Sequence, residues 1–129
     1  MKKNLTILIV DDNRNFVDRM VGLLEEIKTN KQITVASGYQ EAQRLLALEE
    51  QDIVLLDINM PGKNGIELLK FIKQQEKRSD VIMITNHSDN YYKEQCFELG
   101  AKYFLDKSND FAQVPEIVSN IFLERLEKR

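Results

Sequence analysis

The chain has 129 residues, of which 18 are Lys or Arg and 21 are Asp or Glu, and with its one His neutral it carries a net charge of −3. That length suits one domain, which buries roughly two-thirds of the surface its unfolded chain exposes and needs no disulfide or metal staple. The charge balance argues against bulk attraction to nucleic acid, and the apolar runs are too short to span a bilayer. Cys96 lacks the paired spacing of a redox or zinc site, so a packed thiol in a cytoplasmic protein is expected.

Two kinds of segment alternate along the chain. The apolar run Leu5–Val10 is followed by Asn13, a helix-start residue, and then by Phe16, Met20, Leu23 or Leu24, and Ile27, whose steps of three and four share one helical face. The run 33–36 leads to the stripe Ala42, Leu45 and Leu46. After Ile53–Leu56 come Asn64 as a second start residue and the stripe Ile66, Leu69 and Ile72. The run 81–84 is followed by a start at Ser88 or Asp89 and a stop at Gly100, and the run 103–105 by Ile117, Ile121 and Phe122.

Strands that are apolar throughout belong to sheets buried on both faces. Five β-α alternations therefore predict an α/β fold, a flavodoxin-like (βα)5 sandwich of three layers whose five-stranded parallel sheet has the order 2-1-3-4-5. With no repeat, low-complexity tract or linker, residues 1–129 are expected to form one domain with no attached output domain.

Open parallel sheets bind ligands beyond the carboxyl ends of their strands. The first run ends in Asp11-Asp12, the third in Asp57, the fourth in Thr85-Asn86, and the fifth runs into Asp106-Lys107. Three carboxylates in one crevice would repel by about 4 kcal/mol per pair at roughly 4 Å and an effective dielectric near 20, which implies a cation. Carboxylate oxygens without His or thiolate suit Mg²⁺, and Asp57 is placed as a carboxylate nucleophile toward phosphorus. Lys107 supplies a point charge and Thr85 a hydroxyl donor for phosphoryl oxygens. On this reading, neutralising Asp12 should raise metal-free stability by about 1–3 kcal/mol. An acidic pair or a lone lysine is usually just solvated surface, so the weight lies on four strand ends agreeing with the segment from Asp57 to Gly65.

From Leu5 to its end the chain resembles the receiver domain of two-component signalling, as in the stand-alone receivers of chemotaxis and sporulation relays. The matching residues are Asp11-Asp12, Asp57 with the Met60-Pro61-Gly62 turn and Gly65, Thr85, Gly100-Ala101, Phe104 and Lys107. The resemblance implies a phosphorylation-dependent signalling protein with Asp57 as phosphoacceptor. Asp11, Asp12, Asp57 and the backbone carbonyl of Asn59 would hold Mg²⁺, for which Mn²⁺ can substitute. Lys107 would bind phosphate, and Thr85 with Phe104 would form the switch pair, Tyr103 being a rival for the aromatic place.

The implied phosphoryl donor is a sensor histidine kinase or a histidine phosphotransfer protein. A downstream effector protein would bind the face of the fourth helix, fifth strand and fifth helix, here Tyr91 or Tyr92, Lys102 and parts of 111–126, with no direct nucleic-acid contact and no membrane insertion. Such a protein is not an enzyme beyond its own phosphoryl transfer and slow autodephosphorylation. The alternative, a phosphatase of the haloacid-dehalogenase kind, also uses a strand-end Asp and Mg²⁺, but carries a second acid where this chain has Asn59.

Three positions depart from the receiver pattern. Asn86 follows Thr85 where a small residue is usual, and His87 stands where the family controls dephosphorylation. Ser108 replaces the usual proline after Lys107. A cis bond costs roughly 2.5–4 kcal/mol without proline against about 0.5–1 with it, which predicts a trans Lys107–Ser108 bond.

Overall fold

The computed structural model describes residues 4–60, 62–75, 78–86 and 90–127. Its elements follow the order β1 (Leu5–Val10), α1 (Arg14–Glu25), β2 (Lys31–Ala36), α2 (Tyr39–Leu48), β3 (Ile53–Leu56), α3 (Gly65–Gln74), β4 (Asp80–Thr85), α4 (Asn90–Glu98), β5 (Tyr103–Asp106) and α5 (Val114–Glu127), with a 3-10 turn at Phe111–Gln113 before the last helix. All strand pairs are parallel, and the sheet order is β2-β1-β3-β4-β5. This is the flavodoxin-like arrangement that the alternation predicts.

Burial explains the sequence pattern strand by strand. All six residues of β1 are buried, and they divide by parity: Leu5, Ile7 and Ile9 enter the layer filled by α1 and α5, while Leu8 and Val10 enter the layer filled by α2, α3 and Cys96 of α4. Central β3 and β4 divide their residues in the same way. Edge strand β2 is only half covered, so it tolerates Lys31 and Gln32 and begins two residues before the apolar run.

Helix ends follow local chemistry. The side chain of Asn13 accepts a hydrogen bond from Phe16 N at 3.1 Å, and that of Asn64 accepts from Glu67 N at 3.1 Å, each satisfying an otherwise orphaned first-turn donor. Gly100 takes φ +106, its N–H donates to Phe97 O, and Ala101 N–H donates to Cys96 O, closing α4 with a left-handed glycine. Ser88 and Asp89, the expected start of α4, lie outside the described residues. In α1 the apolar face is Phe16, Val17, Met20 and Leu24; Leu23 is only half-buried, and Ile27 joins the core from the turn beyond the helix. Burial pushes the Cys96 thiol up to about 11, consistent with a packed residue.

At the amino ends of the strands, Arg125 of α5 ties the helix to the sheet. Its Nη1 donates to Asp52 Oδ1 and its Nε to Asp80 Oδ2, each at 3.1 Å, and its Nη2 donates to the carbonyls of Asp52 and Arg78. Asp52, 6% exposed, also accepts from Thr6 N and Thr6 Oγ1. Truncating the guanidinium strips a buried carboxylate of part of its pairing. Arg125→Ala should therefore lower unfolding stability by about 1–3 kcal/mol, with Arg125→Lys recovering little because an ammonium cannot reproduce the fork. Urea unfolding of the two variants measures this.

Candidate functional site

The hydrogen-bond ladder continues one residue past three strands, and that continuation builds the site. Asp11 N donates to Ala36 O at 3.0 Å, Asp57 N to Val10 O at 3.2 Å, and Lys107 N to Thr85 O at 3.0 Å. Because β1 and β3 are neighbours, Asp11 and Asp57 emerge side by side at the carboxyl edge. One carboxylate oxygen from each of Asp11, Asp12 and Asp57 lies within 4.8 Å of the others. Asp11 and Asp57 are 3% and 5% exposed, whereas Asp12 faces solvent.

Lys107 closes the cluster. Its Nζ stands 2.8 Å from Asp11 Oδ2 and 3.2 Å from Asp57 Oδ2. Both contacts are ion pairs, and that to Asp57 is also a hydrogen bond. Asp11 Oδ1 accepts from Asn13 N at 2.8 Å, and the buried Asp57 Oδ1 has no hydrogen-bond partner among the described residues. Burial raises the Asp11 pKa, outweighing the lowering by Lys107 and Asn13 N–H. Burial alone would lower the Lys107 pKa, but Asp11 and Asp57 together hold it above the usual lysine range.

The crowding of acids expected from the sequence is present, but its electrostatics differ in two respects. The lysine already offsets part of the repulsion, and Asp12, being exposed, is screened by solvent. Asp11, rather than Asp12, is thus the acid whose charge weighs most on the metal-free fold. A buried carboxylate oxygen such as Asp57 Oδ1, with no donor among the described residues, is costly unless something else satisfies it. An all-oxygen set of three carboxylates fits a hard divalent cation.

Around this centre, Thr85 is fully buried at the end of β4 and Asn86 beyond it is exposed. Asn59 is exposed two residues past Asp57. In the β4–β5 register Met83 opposes Phe104 and Thr85 opposes Asp106. Alternation therefore puts Thr85, Met83 and Phe104 on the sheet face covered by α2–α4, and Tyr103 on the other. Gly65 is fixed by space: a Cβ there would sit 1.9 Å from the Asp57 carbonyl oxygen, so α3 begins directly against the backbone of Asp57. His87 and Pro61 lie outside the described residues.

The Lys107–Ser108 bond is trans, as the cost argument predicts. Carboxylates shape the turn in place of proline. Asp106 Oδ1 accepts from Ser108 N and Asn109 N at 2.8 and 3.0 Å, and Asp110 Oδ2 accepts from Asp106 N at 2.8 Å. Asp106 Oδ1 is thus engaged in the turn. Sequence reasoning also missed the role of Phe16, whose ring lies under Lys107 with Nζ 4.5 Å from its centroid. Its helical spacing marks a core residue and carries no sign of what the ring's other face meets.

Fold and site together define a phosphorylation-dependent signalling domain of the two-component type. Residues 7–119 match the model of the response regulator receiver domain, and the chain belongs to that family. It is similar to the transcriptional regulatory protein MalR of Bacillus subtilis, 34% identical over 121 residues that make up 90% of this chain and 49% of MalR. The chain spans about half the length of the curated relatives it matches. Among solved structures it resembles the receiver domain of the Francisella response regulator 1452, with a TM-score of 0.86 at 24% identity, covering 95% of this chain and 99% of that one. The Mn(2+)-bound form of response regulator Rcp1 gives a TM-score of 0.78 at 24% identity, covering 91% of each chain. Since these relatives are regulators, the phosphatase alternative gains no support. No helix among the described residues is long and apolar enough to cross a membrane.

The raised Asp11 pKa has a definite sign in stability. The fold favours the protonated acid, so this contribution is fully present below the ordinary carboxylate pKa and is lost as pH rises through the higher folded-state value. Asp11→Asn, which keeps an acceptor for Asn13 N and leaves Lys107 paired with Asp57, should be more stable than wild type at neutral pH by about 1–2 kcal/mol. Urea melts from acid to neutral pH should show the advantage shrinking toward the acid end. A variant less stable at neutral pH would mean that pairing with Lys107 outweighs burial.

Proposed function

We propose that the described chain forms one receiver unit, which takes a phosphoryl group onto Asp57 from the phosphohistidine of a sensor kinase or phosphotransfer protein in the cytoplasm. The observation that carries this reading is the buried Asp57 carboxylate, one oxygen of which has no hydrogen-bond partner among the described residues, held between two other aspartates and the Lys107 ammonium. An Asp57 oxygen forms the new O–P bond while the N–P bond of phosphohistidine breaks; its electron pair stays on the imidazole, which takes up a proton.

Asp11, Asp12, Asp57 and the Asn59 carbonyl would hold Mg²⁺, or Mn²⁺ in its place, and the bound cation supplies charge neutralisation for phosphoryl oxygens. Rcp1, which has a similar fold, is described in a Mn(2+)-bound form. Lys107 gives up its contact with the reacting Asp57 oxygen and pairs with a phosphoryl oxygen. The Thr85 hydroxyl donates to a second one and is drawn toward it, leaving room beneath for Phe104 to rotate inward. Slow hydrolysis of the aspartyl phosphate returns the domain to its resting state. A protein effector reads the change on the α4–β5–α5 face, where Tyr91 is 71% exposed and Lys102 pairs with Glu124 at 3.2 Å. The receiver unit itself makes no nucleic-acid contact, in keeping with the net charge of −3.

Incubation with Mg²⁺ and acetyl phosphate should add one phosphoryl group, mapped by mass spectrometry to Asp57 and absent from Asp57→Asn. Modification of natively folded Asp57→Asn to the wild-type extent sinks the assignment. Phe104→Ala should accept phosphate at close to the wild-type rate but lose at least about tenfold of the phosphorylation-dependent gain in effector affinity, a change of about 1.4 kcal/mol. Calorimetric titration of both proteins checks this, and an undiminished gain places the switch elsewhere.

A further inference from the structure

Among the described residues, the Lys107 ammonium meets two carboxylates and one aromatic ring. Asp11 Oδ2 lies at 2.8 Å and Asp57 Oδ2 at 3.2 Å, and the third side is covered by the face of Phe16, with Nζ 4.5 Å from the ring centroid. With the side chain 10% exposed, the ring stands largely where water would otherwise solvate the cation. Phe16 is itself oriented: Phe111 meets it edge-on, with centroids 5.7 Å apart and planes at 74°, and the Arg19 guanidinium lies 4.5 Å over Phe111. A purely apolar role would need only bulk at this point of α1. An aromatic face adds a negative quadrupole aimed at the cation.

We propose that Phe16 is a positioning residue for Lys107, holding the ammonium over the edge of the sheet so that it is in place when a phosphoryl group arrives on Asp57. The proposal rests on the receiver reading above. The backbone after Lys107 is set by Asp106 and Asp110, but these fix only the turn and leave a flexible four-carbon stem. As Asp57 is phosphorylated, the ammonium must pass from the Asp57 oxygen to a phosphoryl oxygen while Asp11 pulls on it from the other side. The ring supplies a contact that phosphorylation does not remove.

Site-specific replacement of Phe16 by 4-fluoro-, 3,5-difluoro- and pentafluorophenylalanine keeps the shape nearly constant while cancelling and then inverting the quadrupole. With Mg²⁺ and saturating acetyl phosphate, an Asp57 oxygen forms the O–P bond, the P–O bond to acetate breaks, and acetate leaves with the electron pair. The first-order rate constant should fall stepwise along the series, by about 3- to 10-fold at its end, with thermal melts unchanged. Phe16→Leu should match the pentafluoro rate. In the metal-free protein, the Lys107 ε-methylene protons should be shifted upfield by the ring current in wild type and relax toward ordinary values in Phe16→Leu.

Rates that stay flat across the series or in Phe16→Leu, or an absent upfield shift, overturn this proposal alone, provided wild-type Asp57 accepts phosphate. A wild type that takes no phosphoryl group on Asp57 overturns the receiver reading and this proposal with it.

Discussion

Everything at the functional end of this domain turns on one ammonium placed between two buried carboxylates. Lys107 reaches from beyond β5, across β4 and β3, to Asp57 and Asp11. Three strand ends are thereby joined by one charged side chain where the helical layers leave the sheet open. Without that positive charge, Asp11 and Asp57 would face each other in a poorly solvated crevice, and their repulsion would act against the β1–β3 register that brings them together.

The pairing is also incomplete. One cation is set against three carboxylates, and a buried oxygen of Asp57 accepts no hydrogen bond among the described residues. A fold selected only for stability would replace such a cluster with apolar side chains. Its surplus negative charge suits a divalent cation. Gly65 adds a steric condition: α3 approaches the Asp57 backbone so closely that no side chain fits between them.

The two ends of the sheet divide their tasks. At the amino ends Arg125, Asp52, Asp80 and Thr6 form a well-paired set that ties α5 to β3 and β4. At the carboxyl ends Asp11, Asp12 and Asp57 crowd together around Lys107, and Asp57 Oδ1 has no hydrogen-bond partner among the described residues. Since α5 is clamped at its far end and borders the face proposed to carry the signal, a local change around Thr85 and Phe104 has a fixed frame to act against.

The amino-acid sequence by itself determined the architecture and which acids meet at the carboxyl edge of the sheet. Buried parallel strands must be apolar on both faces, and helices between them must be apolar on one, so alternation and order could be read directly. The gathering of Asp11, Asp12, Asp57 and Lys107 was legible because a parallel sheet collects whatever ends its strands. Strand β2 was read short because an edge strand needs no continuous apolar run, and Ile27 was assigned to a helix because core-facing residues keep their spacing even after the helix stops. Only the tertiary structure decided how the charges divide: that Asp11 is buried and Asp12 exposed, that Lys107 already bridges two acids, and that Asp106 accepts hydrogen bonds within its own turn. It alone put Phe16 beneath the ammonium. Periodicity reports which side of a helix is covered, whereas the identity of the covering group depends on chain returning from about ninety residues away, a long-range contact that local pattern does not encode.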